Sequence, residues 1–303
     1  MEYLYYKSEK GNFGDDLNGW LWPKLFGPED TSDDLAFLGI GTILYEKNKH
    51  IISAQDKRKV VFGTGVRPIH KQFPLDASWD IRFLRGPLSS NHFNREFKYI
   101  SDAAYALKLL PEFQKISNTT KQYNVSFIPY FKSESYFDWK SICKELGIHY
   151  ITTHTDLGIE YTLREIAASN FIISEAMHGA ILADIFRIPW RRFVLTTPFT
   201  EGERVSEFKW ADWMNSVEIF QHDPLYVPLY KKGRFHSMIK RFSGGSVEAN
   251  VFLKNKVKDQ ILKTLSQRDI TFDMSSDQRA NQVFSRMGDE VELLNQKLHK
   301  TVY

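Results

Sequence analysis

Short apolar runs alternate with helical patterns along most of this chain, and that alternation restricts the fold more than any other feature. From residue 123 onward, YNVSFIPYF reads as strand, YFDWKSICKELG as helix, IHYITTH as strand and IEYTLREIAAS as helix. NFIIS is then a strand and AMHGAILADIFR a helix stopped by Pro189, with WRRFVLT as the next strand. Strand and helix in turn at this spacing make a parallel sheet with helices on both faces, an α/β fold. The N-terminal part follows a similar plan, with strand-like runs EYLYYK, DDLAFLGIGTIL, RKVVFGTG and WDIRFLRG ending in polar turns, glycine or arginine. GPLSSNHFNREF reads as turn and helix, and KYISDAAYAL as a short strand leading to Asp102.

Between the two series, PEFQKISNTTKQ (about 111–122) is polar and aperiodic, the mark of a domain linker. The expected units are residues 1–115, 122–235 and a C-terminal part, 236–303. After about residue 206 the pattern turns helical: EFKWADWMNSV is a helix and FQHDPLYVPLY a proline-marked connector. LYKKGRFHSMIKRF is basic and aromatic, SGGS is flexible, and two helices close the chain, the second bent or divided at Gly288.

The 40 basic and 37 acidic residues leave a net charge of +3, too balanced to argue for nucleic acid. The single cysteine, Cys143, excludes an internal disulfide and a thiolate metal cluster, and it reads as a small core residue on a helix. No HxxxH, HExxH or Cys/His spacing points to a metal. No apolar run approaches the ~20 residues needed to span a bilayer, so a cytoplasmic location is expected. The 23 Phe, 14 Tyr and 7 Trp fill a core or stack on sugar rings, and composition does not separate the two.

In open parallel sheets, ligands bind where the strands end. GNFGDDL follows the first strand; its Asn12, Gly14, Asp15 and Asp16 serve either a structural turn or a ligand loop, and the paired aspartates argue against a phosphate there. Gly39 and Gly41 in LGIGTIL mark a second such strand end, and FGTG a third. Arg85, in FLRGP, can grip a carboxylate or phosphate, or pair with a nearby acid such as Asp102. In FIISEAMHGAILADIFRIPW, Phe171–Ile173 form a buried strand, Ser174 and Glu175 a turn, and His178 falls in the first turn of the next helix. Free N–H groups there attract an anion, and the helix dipole favours the neutral ring that accepts a proton. Gly179 lets a ligand or a second domain approach. The alternative is a histidine hydrogen-bonded across the sheet.

Taken in order, these pieces resemble the polysaccharide pyruvyltransferases over roughly residues 1–200. The resemblance rests on Asn12-Phe13-Gly14-Asp15, Gly39 and Gly41, Arg85-Gly86-Pro87, Asp102-Ala103-Ala104, and the segment Ser174 to Ala183 followed by Arg187-Ile188-Pro189. It implies two Rossmann-like domains facing a cleft, as in GT-B glycosyltransferases, with the acceptor on the first and the donor on the second. It also implies C-terminal helices that return to the first domain. The donor would be phosphoenolpyruvate, with no further cofactor, and the product a pyruvate ketal on a glycan. His178 would contact the donor and move the proton, and Asp102 or Asp15 would orient or deprotonate the acceptor. Asn12, Gly14, Gly41, Arg85, Tyr130, Ser174, Gly179 and Arg204 would bind substrates, with Tyr130, Phe131 and Trp210 stacking on sugar.

Two departures stand out: Ala176 replaces the family arginine two positions before the histidine, and Pro129-Tyr130-Phe131 replaces P-H-F or P-H-Y. Arg85, Arg191, Arg192 and Arg204 are the arginines that could supply the missing charge. Residues 229–242 suit either a solvated cationic face or peripheral contact with an anionic membrane carrying a lipid-linked acceptor. Two rival readings stand beside this one. One is a nucleotide-sugar glycosyltransferase, with Glu175 on the ribose; the other is a non-catalytic carbohydrate-binding relative.

Overall fold

The structure, a computed structural model, describes residues 1–69, 75–227, 248–267 and 269–300. Two parallel sheets form it. The first contains β1 (Glu2–Tyr3), β2 (Leu35–Leu38), β3 (Arg58–Phe62) and β4 (Trp79–Phe83) in that spatial order. The second contains β5 (Tyr123–Ile128), β6 (His149–Tyr150), β7 (Ser169–Ser174), β8 (Trp190–Val194) and β9 (Leu225–Tyr226) in the order β6-β5-β7-β8-β9. Helices connect them: α1 (Phe13–Phe26), α2 (Lys49–Ser53), α3 (Pro87–His92), α4 (Pro111–Ser117), α5 (Trp139–Leu146), α6 (Ile159–Ala167), α7 (Met177–Ile185) and α8 (Glu203–Ser216). Two longer helices, α9 (Glu248–Leu265) and α10 (Asp277–Lys300), follow.

Strand order decides where a ligand can sit. In the second sheet the chain steps from β5 out to β6, then back to β7 on the other side, with Ile128 paired to Ser174. Connections leaving in opposite directions open a crevice beyond the carboxyl ends of β5 and β7. The first sheet is sequential, with no such reversal among its described strands.

Several local expectations need correction. The proposed linker contains α4, opened by Pro111 and anchored by buried Phe113 and Ile116, a pair too short to register as periodicity. KYISDAAYAL makes a single bridge, Leu84 to Tyr99, before a 3-10 turn over Ala103–Leu109. Gly288 does not interrupt α10, and the proline-marked connector yields the edge strand β9. Cys143 is buried in α5, where burial pushes its thiol up to about 12. The basic aromatic segment 229–242 lies outside the described residues.

The later helices brace the first half. On α8, Asp212 accepts hydrogen bonds from Arg85 Nε at 3.1 Å, Ser89 N at 2.8 Å and Ser89 Oγ at 2.6 Å. On α10, Glu290 pairs with both Arg82 and Lys98, and Arg286 donates to the carbonyl of Tyr99. Arg187 ends α7 in the left-handed region at φ 58°. Its guanidinium donates to Ser275 Oγ at 2.8 Å and pairs with Asp277 at 3.0 Å, tying down the approach to α10. A non-glycine residue there costs about 1 kcal/mol. In chemical denaturation, Arg187→Ala is therefore expected to be less stable than Arg187→Gly by about that amount, since both lose the clamp and only glycine loses the strain. Equal midpoints would contradict this account.

Candidate active site

A cleft of about 440 Å³ lies beyond the carboxyl ends of β5 and β7 and is closed on its other side by loops of the first half. His178 lines it from the first turn of α7, with Tyr130, Phe131 and Lys132 beside it on the loop after β5. Asn12 and Asp15 approach from the first half, at the start of α1.

Two glycines permit this meeting. A Cβ on Gly14 would lie 2.2 Å from His178 Nδ1, so the first turns of α1 and α7 come together only because Gly14 has no side chain. A Cβ on Gly179 would lie 2.2 Å from Ser174 Oγ and 2.9 Å from Ile128 Cδ1. Gly179 therefore serves the packing of α7 against β5 and β7 and leaves room for protein rather than ligand. Ser174 is also turned inward, donating to the carbonyl of Ala176 at 2.7 Å.

The carboxylates divide into two kinds. Asp102 is fully buried and caps the 3-10 turn by accepting from Ala104 N at 3.0 Å; its Oδ1 lies 3.8 Å from His178 Nε2. Neither Asp102 Oδ2 nor His178 Nε2 has a hydrogen-bond partner. Asp102 is thus sealed beneath the His178 ring and does not itself line the cleft. Asp15 lines the cleft itself and accepts from Asn12 Nδ2 at 2.6 Å. Burial pushes its pKa up to about 6, against the opposing pull of His178 and Lys209. A carboxylate tuned this way is poised to accept a proton near neutral pH.

The arginines considered as replacements for the absent charge at Ala176 are committed elsewhere or face away. Arg85 is fully buried against Asp212 rather than Asp102, and donates to the Gly41 carbonyl and Thr42 Oγ1 behind the cleft wall. Arg191 pairs with Asp223 and Asp273, and Arg192 pairs with Glu207 while lying over the Trp210 ring. Arg204 is exposed and outside the cleft lining. Trp210 is buried among Trp190 and Trp213, so it is not a sugar platform.

Lys209, missed by the sequence reading, does line the cleft, as does Lys132. Lys209 lies five positions after Arg204, about 140° further round the helix at 3.6 residues per turn, so one faces solvent when the other faces inward. Lys209 donates to Glu201 Oε1 at 2.8 Å, and Tyr130 Oη donates to the same oxygen at 2.9 Å. Burial, the largest single influence, would raise Glu201, but Lys209, Tyr130 and Lys132 together outweigh it and hold the carboxyl below its ordinary value. Tyr130 and Phe131 meet edge to face at 4.7 Å, leaving an aromatic surface on the cleft wall. Glu175 is buried; it accepts from Thr196, Thr197, Tyr130 N and Ser133 Oγ, which ties three strand ends together and leaves nothing for a ribose. Among the described residues, no group of three or more His, Cys, Asp or Glu is arranged to hold a metal ion.

The fold and this site define an α/β protein with a histidine in a charged cleft at a strand-order reversal. The family model for polysaccharide pyruvyl transferase matches residues 2–194. Succinoglycan biosynthesis protein ExoV of Rhizobium meliloti (strain 1021) is 34% identical over 256 residues, which is 82% of this chain and 75% of that protein. The chain belongs to the polysaccharide pyruvyl transferase family, and its activity is that of a pyruvyltransferase with a polysaccharide acceptor. A solved structure of an uncharacterized protein from Klebsiella pneumoniae subsp. pneumoniae aligns with 69% of this chain and 88% of its own at 14% identity, with a TM-score of 0.42.

Proposed function

We propose that this protein transfers pyruvate from phosphoenolpyruvate to two hydroxyls of one sugar, forming a ketal on a polysaccharide or lipid-linked oligosaccharide. The observation that carries the reading is His178, seated in the first turn of α7 at the reversal between β5 and β7, with Asp102 behind it and Asp15 across from it. The donor's phosphate and carboxylate would meet Lys209, Lys132 and the free N–H groups that open α7. His178 would protonate the methylene carbon, making the adjacent carbon electrophilic. One hydroxyl attacks that carbon, phosphate leaves with the C–O bond electrons, and the second hydroxyl closes the ketal. Of the two hydroxyl protons released overall, one balances the proton gained by the methyl group and the other leaves with phosphate. Asp15 is the base in reach of the acceptor, and Tyr130 and Phe131 offer the sugar an apolar face.

In this reading the chain forms two domains, 1–115 and 122–235, facing the cleft in a GT-B-like manner, with α10 returning to the first while Val257, Ile261 and Leu265 of α9 pack on the second. Among the described residues, no helix is long and apolar enough to cross a membrane. We place the reaction in the cytoplasm, with residues 229–242 drawing the protein to the inner face of the membrane. Retention on anionic liposomes at low salt, and release by added salt, is the expected result; equal binding to neutral liposomes would remove the idea. The overall reading is tested by supplying phosphoenolpyruvate or nucleotide sugars with a panel of bacterial polysaccharides. Acceptor-dependent phosphate release from phosphoenolpyruvate supports it, and turnover of a nucleotide sugar instead would replace it.

Asp15 links this chemistry to stability. Because its folded pKa lies above its unfolded value, the folded state holds the proton more tightly, and stability is lost as pH rises from about 4 through about 6. Asp15→Asn should therefore raise the unfolding temperature at pH 7.5 while lowering turnover, and the stability gain should vanish below pH 4. The wild-type rate should fall as pH drops through about 6, where the base becomes protonated. A variant that loses activity without gaining stability would separate the two effects.

A further inference from the structure

The outer wall of the cleft belongs to the first half and is built from the segment between β2 and α2 together with the turn after β3. Asn48 fixes its shape, accepting from His50 N at 3.0 Å and donating to the Ile43 carbonyl at 2.7 Å, while Leu44 bridges to Val66. On this wall stand Lys47, Lys49, His50 and Arg67, all lining the cleft that contains His178. Among the described residues lining that cleft, the carboxylates are Asp15 and Glu201. Asp15 is held by Asn12, and Glu201 by Lys209 and Tyr130, so neither neutralises the wall. Two of its nitrogens, His50 Nε2 and Arg67 Nε, are shielded from solvent with no hydrogen-bond partner among the described residues. The Arg67 guanidinium lies over the Tyr45 ring at 5.3 Å, which limits the directions it can face. A shielded donor left without a partner is costly, and a planar guanidinium is best satisfied by an anion taken two-pronged.

We propose that this wall binds an anionic group, phosphate or carboxylate, which the acceptor carries apart from the hydroxyls that react. The inference rests on the pyruvyl-transfer reading. In that reading the donor's charges are met by Lys209, Lys132 and the start of α7, all from the second half, and the wall is left for the other substrate. The substrate class is then an acidic glycan or a glycosyl phosphate rather than a neutral polysaccharide.

The test is calorimetric titration of the whole protein saturated with phosphoenolpyruvate. Inorganic pyrophosphate is the titrant in one arm and methyl glucuronide in the other, so the arms distinguish a phosphate from a carboxylate. At least one probe should bind. Lys49→Gln combined with Arg67→Gln should weaken that probe about tenfold or more, the scale of one charge-assisted hydrogen bond, with the affinity for phosphoenolpyruvate unchanged. The single Lys49→Gln variant serves if the double variant fails to fold. Failure of both probes to bind, or binding that survives the substitutions, overturns the proposal. So does a fall in phosphoenolpyruvate affinity in the double variant, because the wall would then belong to the donor. If wild-type protein does not bind phosphoenolpyruvate, the donor reading fails instead, and pyrophosphate binding that depends on Arg67 still reports on the wall.

Discussion

Replacing His178 with alanine is expected to lower turnover about a thousandfold while the protein stays folded, since general acid–base catalysis of this kind contributes about 10²–10⁴. The ring is almost enclosed, yet its Nε2 has no hydrogen-bond partner among the described residues, so its removal takes away chemistry more than support. The loss should appear in kcat, with phosphoenolpyruvate binding retained through Lys209 and the start of α7. Asp102→Asn is the companion measurement. Asp102 touches the reaction only through the ring, so kcat should fall with little change in KM, and the pH profile of kcat should move. A near-normal rate for the His178 variant would sink the assignment, and an unmoved pH profile would reduce Asp102 to a cap.

The second large effect is on stability. Asp212→Ala should destabilise the protein by about 3–5 kcal/mol, because Arg85 would be left charged in a fully buried site. Ser89 loses its acceptor at the same time. Urea denaturation of the single variant, and of Arg85→Met combined with Asp212→Leu, separates pairing from packing. The double variant should recover much of the loss, because two apolar side chains of similar bulk leave no orphaned charge. A single variant within 1 kcal/mol of wild type would show that water reaches the pair.

Much of the fold was legible because hydrophobic period is a local property. NFIIS and WRRFVLT became β7 and β8, and AMHGAILADIFR became α7 with His178 in its first turn. What was not legible depends on direction and on distant partners. Arg85 and Asp212 are 127 positions apart, and nothing in FLRGP names that acid over Asp102. Arg204 and Lys209 share one helix, and only the docked orientation of α8 decides which of them enters the cleft. Arg67, within GTGVRP, lies in a stretch already read as a strand end, but its use depends on the loop carrying Asn48, which closes over it from another part of the chain. The sequence leaves Gly179 as room for a ligand or a second domain, and the structure places Ser174 and Ile128 against it.

The pairing of Glu290 with Arg82 and Lys98 has a consequence for the order of events during synthesis. The partners of Glu290 are about two hundred residues upstream, with sequence separations of 208 and 192. A ribosome making this chain releases the first sheet early, yet Arg82 on its strand β4 and Lys98 beyond it wait for a partner about two hundred residues downstream. The first sheet therefore leaves the tunnel without these pairings, which come from a helix made much later. Domains that fold as they appear are the common pattern. Here the opening third of the chain gains its full protection against unfolding only when α10 arrives, and a chain cut short before Asp277 would expose the surface of its own first-made half.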